Sequence, residues 1–69
     1  MKYLLKLDTS EFSRSYKEWD DIDFVAKYFK SKIKSSLLAD IYFVHEVDES
    51  TGILIRVISG RKFINGTYH

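Results

Sequence analysis

Two apolar runs joined by a short polar segment, Ile41–Val47 (IYFVHEV) and Ile53–Ile58 (ILIRVI), constrain this chain more than any other feature. Each has the length of a strand, and each is rich in β-branched and aromatic residues. Asp48-Glu49-Ser50-Thr51-Gly52 supplies a short hairpin loop, with Gly52 as its permissive position. Pairing Val47 with Ile53 places Ile41, Phe43, His45, Val47, Ile53, Ile55 and Val57 on one face. The other face then carries Tyr42, Val44, Glu46, Leu54, Arg56 and Ile58. Both faces are largely apolar, so both need cover.

The remaining chain offers little to cover them with. At 69 residues it is one domain with a small core. Lys2–Leu7 alternates as a strand, with Tyr3, Leu5 and Leu7 on one side and Lys2, Leu4 and Lys6 on the other. Phe12–Trp19 is expected to return on it as a second strand. The alternative is helical and sets Phe12, Tyr16 and Trp19 at i, i+4, i+7. Asp20 to Leu38 carries the clearest helix signal: Asp20 caps it, Asp21 adds charge to the first turn, and Asp23 stands three positions after the cap. Ile22, Val25, Ala26, Phe29, Ile33 and Leu37 form one apolar stripe along it. Ser59-Gly60 is expected to turn the chain into a last short strand, Arg61–Ile64, with residues 66–69 as a frayed tail.

The layout expected is ββαββ(β), an α+β two-layer domain with an antiparallel sheet of four to five strands packed on one amphipathic helix. The helix is expected to cover the His45 face. Tyr42, Val44, Leu54, Arg56 and Ile58 then form an open strip, and an apolar strip of that kind marks a docking surface. Its occupant is expected to be a host protein or protein–nucleic-acid complex, with a homodimer as one alternative. Cover by the chain's own Trp19 or Tyr68 is the other. Phe24 and Tyr28, opposite the helix stripe, add an outward aromatic pair suited to anchoring a partner.

Composition argues against several function classes. There is no Cys, and His45 and His69 are too far apart in sequence for a usual metal set. His45 fits a hydrogen-bonded core histidine. No nucleophile elbow or glycine-rich phosphate loop occurs, so no catalytic residue, metal ligand or cofactor is assigned, and the chain is expected not to be an enzyme. A net charge of +1 produces no global attraction to nucleic acid. Lys27, Lys30 and Lys34 nevertheless share one helix flank, and with Arg56 they form the alternative, a small nucleic-acid-binding module. The bland reading of that flank is a solvated face with an Asp23–Lys27 pair. No apolar run has the length of a membrane span or a signal peptide, and a cytoplasmic protein is expected.

The passage SRSYKEWDDIDFVA (Ser13–Ala26) is similar to the strand running into a capped helix of many tiny phage-encoded proteins. The hairpin followed by Gly60-Arg61-Lys62-Phe63-Ile64 resembles the ending of some small anti-CRISPR proteins, in order of elements and not in motif. The resemblance implies a non-enzymatic, phage or mobile-element anti-defence inhibitor that occludes a host protein surface. It carries over no binding residue.

Overall fold

Alternating burial along Lys2–Lys6 makes this segment β1, the second strand in from one sheet edge in a computed structural model that describes residues 1–69. β2 (Lys17–Trp19) pairs with it antiparallel, Tyr3 opposite Trp19 and Leu5 opposite Lys17. β3 (Phe43–Val47) pairs on its other side, and β4 (Leu54–Ser59) closes the order β2-β1-β3-β4. Three helices complete the α+β domain: α1 (Ile22–Tyr28), α2 (Ser36–Ala39) and α3 (Gly60–Asn65).

Register decides which side of the sheet becomes the core. Leu5 faces Val44 and Tyr3 faces Glu46, while Val44 pairs with Ile58. Directly opposed residues share a face, so Tyr3, Leu5, Val44 and Ile58 form one apolar surface. Val25, Ala26, Phe29, Ala39 and Phe63 pack on that surface as the buried core. The face expected to be open is therefore the one the helices cover. The physical reason is pleat parity: β1 contributes its best apolar pair, Tyr3 and Leu5, on the side of Val44 and not on the side of His45.

The single helix expected from Asp20 to Leu38 is broken. Asp21, not Asp20, caps α1, its carboxylate accepting from Asp23 N at 2.9 Å. Asp20 instead takes Lys2 Nζ at 2.9 Å. The chain then widens into a π turn over Phe29–Ile33, closed by Lys34 N donating to Phe29 O at 2.8 Å, and Lys34 reverses it in the left-handed region at φ 66°. Ser35 caps the short α2. Because a π turn holds more residues than an α turn, the apolar stripe survives through Ile33 but Leu37 is carried out to 77% exposure.

Two further expectations change. Phe12–Tyr16 is loop, so only the last three residues of the expected second strand pair along β1, with Tyr16 N adding one bond to Leu5 O at 2.8 Å. The segment expected as a fifth strand is α3. Its Phe63 lies fully buried between Phe29, 5.2 Å away and stacked, and Tyr68, 5.0 Å away and stacked. Burying a ring of that size contributes about 1.5–3 kcal/mol. Tyr68, in the segment expected to fray, also donates its hydroxyl to Asp23 Oδ1 at 3.3 Å, tying the chain end to α1.

The hairpin loop forms as expected at Asp48–Gly52, with Gly52 at φ 74° and Asp48 Oδ1 accepting from Ser50 N and Ser50 Oγ. Its register does not match the expectation. Val47 pairs with Leu54 and Glu46 with Arg56, so Ile55 is the extra residue of a bulge. The bulge moves Leu54 off the expected Tyr42 face and onto the side of His45.

Candidate functional site: a roofed cleft and an open sheet edge

The residues expected to make a docking strip divide. Val44 and Ile58 are buried in the core, and Tyr42 packs half-buried against it, edge-on to Phe29 at 6.1 Å. Val44 and Ile58 are closed to a partner, and Tyr42 keeps only part of its ring exposed. Cover comes from the chain's own helices, with Trp19 and Tyr68 packed at the margins of that core. Arg56 remains half-exposed, but its Nε donates to Glu46 Oε1 at 2.6 Å. Glu46 Oε2 accepts the Tyr3 hydroxyl at 3.1 Å, so the buried carboxylate has a partner on each oxygen. Burial first, and then the Glu46 contact, raise the Tyr3 phenol above its ordinary value.

The aromatic pair on α1 divides too. Phe24 is exposed, with Lys27 Nζ 5.7 Å from its ring centre. Tyr28 does not project outward. It is half-buried, 5.1 Å from the Trp19 ring and 6.1 Å from Phe29. Lys27, Lys30 and Lys34 are exposed and none forms an ion pair, so the Asp23–Lys27 pair is not made. Arg56 is committed to Glu46 on the sheet and lies outside that flank.

The second sheet face, carrying Leu4, Lys6, His45, Val47 and Leu54, is roofed by the β1–β2 loop. Two carbonyls hold the roof. His45 Nε2–H donates to Asp8 O at 2.9 Å, and Lys6 Nζ donates to Glu11 O at 2.9 Å. His45 is therefore buried and hydrogen-bonded, as its sequence position suggested, but beneath a loop and not beneath the helix. Asp8 itself is set by its neighbours: the Ser13 hydroxyl and then the Ser10 amide hold its carboxyl below the usual range. Under the roof lies a cleft of about 290 Å³ whose walls are half polar and half apolar, with Phe12 at its mouth. No three His, Asp or Glu side chains gather where a cation would be held.

The third feature is the free edge of β4. β4 is the last strand of the sheet and pairs only with β3, so no strand takes up the outward side of its backbone between Leu54 and Ile58. Ile53 and Ile55 flank that edge at 61% and 49% exposure. The opposite edge, β2, is only three residues long. Sequence reading missed both the cleft and the edge. The cleft depends on a loop expected to be strand, and the edge on a fifth strand that is in fact α3.

Comparison of the chain with protein families, curated proteins and solved structures gave no match. No helix is long and apolar enough to cross a membrane.

Proposed function

We propose that this is a small non-enzymatic interaction protein of the cytoplasm that binds another protein along the open edge of β4. In this reading an extended segment of the partner adds as a fifth strand, and the rest of the domain occludes the partner's surface. The observation that supports it is the unpaired β4 edge beside exposed Ile53 and Ile55. Strand addition draws affinity from main-chain hydrogen bonds and specificity from flanking side chains. Natural edge strands are commonly protected by charge, proline or a bulge; Leu54–Ser59 holds a single charge, on Arg56, already taken by Glu46, and its bulge at Ile55 leaves Arg56–Ser59 in regular register on β3. An anti-defence inhibitor of phage or mobile-element origin, acting on a host protein, is the form of this function that the order of elements suggests.

The experiment is affinity capture from host lysate with the wild-type protein and with Ile53→Lys plus Ile55→Lys. Both positions are exposed, so the variant should fold and lose the captured partner. Equal recovery by the two proteins would remove the β4 edge from the reading. Sedimentation velocity at micromolar concentration should show a monomer, and a dimer abolished by the same variant would reassign the edge to a second copy.

A further inference from the structure

We propose that the roofed cleft is a binding site for a small organic acid, a molecule with one anionic head and a short apolar body. Lys6 supplies the head's partner. Its side chain is almost wholly buried, at 3% exposure, and no carboxylate lies within ion-pair distance. One of its three donors is used, on Glu11 O. A buried ammonium with a single neutral acceptor is poorly compensated, and an anion entering the cleft compensates it directly.

A second observation in the same cleft points the same way. His45 is fully buried, and with Nε2–H committed to Asp8 O its Nδ1 has no hydrogen-bond partner. It is the one buried side-chain polar atom in the protein left so. Register places Leu4 opposite His45 and Lys6 opposite Phe43, which sets the two nitrogen-bearing side chains on adjacent strands of one face. An anionic head that accepts from Lys6 and keeps one O–H to donate to His45 Nδ1, as a phosphate monoester monoanion does, meets both needs, whereas a plain carboxylate meets only the first.

The walls define the rest of the ligand. Leu4, Val47 and Leu54 form an apolar floor, and the volume suits a molecule of a few to about ten heavy atoms, at the small end of ligand sites. Phe12 stands at the mouth with 91% of its surface exposed. A large ring so placed gains cover when an apolar body enters beneath it. The Asp8 carboxylate lies near enough to Lys6 to feel its charge without touching it, so an entering anion gains from the unused Lys6 donors by direct contact and not from the wider field.

The test is a titration of the ¹⁵N-labelled protein followed by amide shifts, with octanoate and phenyl phosphate as acid probes and 1-octanol as the neutral control. Saturable shifts confined to Leu4, Lys6, His45, Val47 and Leu54 are expected with at least one acid, and the tighter acid identifies the head group. Lys6→Met keeps the stem and removes the charge, and should weaken that acid by about tenfold to a hundredfold. Lys6→Arg should retain binding, and Phe12→Ser, at an exposed position, should weaken it while leaving the fold unchanged. Octanol binding as well as the acids, unchanged affinity in Lys6→Met, or no saturable shift with either acid would each overturn the assignment.

Discussion

Gly60 Cα lies so close to the Ala39 carbonyl that a methyl group on it would overlap that oxygen and stand 2.8 Å from Phe29 Cε1. The contact is where β4 passes into α3 and where α2 turns back into β3, and Gly60 N also donates to Tyr42 O at 2.9 Å. Two connections therefore meet at a residue without a side chain.

Gly60→Ala should destabilise the protein by about 2–3 kcal/mol, the upper part of the range for overpacking, because the obstructing atom is backbone and cannot rotate away. The denaturant midpoint measures this. A domain of this size has only about 5 kcal/mol of total stability, so the midpoint should fall steeply, and a change of less than a few tenths of a kcal/mol would show that the junction yields.

Lys34 should respond in the opposite sense. It holds φ 66° at the end of the π turn, where a side chain is disfavoured and glycine is not. Lys34→Gly is expected to stabilise by roughly 0.5–1 kcal/mol. Thermal melts of the two proteins at one concentration check it, and a lowered melting temperature would mean that the lysine side chain contributes more than its backbone conformation costs.

The buried Glu46 carboxylate links two strands through Tyr3 and Arg56. Glu46→Ala leaves the Tyr3 hydroxyl without its acceptor and should cost about 1–3 kcal/mol. Tyr3→Phe in the Glu46→Ala background should then be close to neutral, although Tyr3→Phe alone is destabilising. A double-mutant cycle in urea reads the coupling directly.

Stability should fall at both ends of the pH range. Four carboxyls are held below the usual value of 3.8: Asp8 by Ser13, Asp20 by Lys2, Asp40 by Arg61 and Asp48 by Ser50. For each, the unfolded chain binds the proton first as pH drops, so their stabilisation is complete above 3.8 and is lost as pH falls through the lower folded values. The Tyr3 phenol is raised above 10.0, so its contribution is complete below 10.0 and is lost as pH rises past it. Melting temperature against pH should show both limbs. Tyr3→Phe should flatten the alkaline one, and an unaltered alkaline limb in that variant would assign the effect to other groups such as Tyr68.

Local chemistry alone was enough to place several elements: the strand at Lys2–Lys6, the hairpin around Asp48–Gly52, and a capped helix, its cap one residue beyond the expected Asp20, with buried Val25, Ala26 and Phe29. Those depend on side-chain periodicity and turn residues within a few positions of one another. The side of the sheet that became the core was another matter. Ile41–Val47 is apolar at both parities, so periodicity within it carries no preference, and only pairing with β1 put Val44 inward and His45 beneath the loop. Gly60–Asn65 likewise held too few residues to distinguish helix from strand, until Phe63 found its place between Phe29 and Tyr68. Docking strip, cleft and open edge all followed from those long-range choices, because a face or an edge is a property of neighbouring strands and not of any one of them.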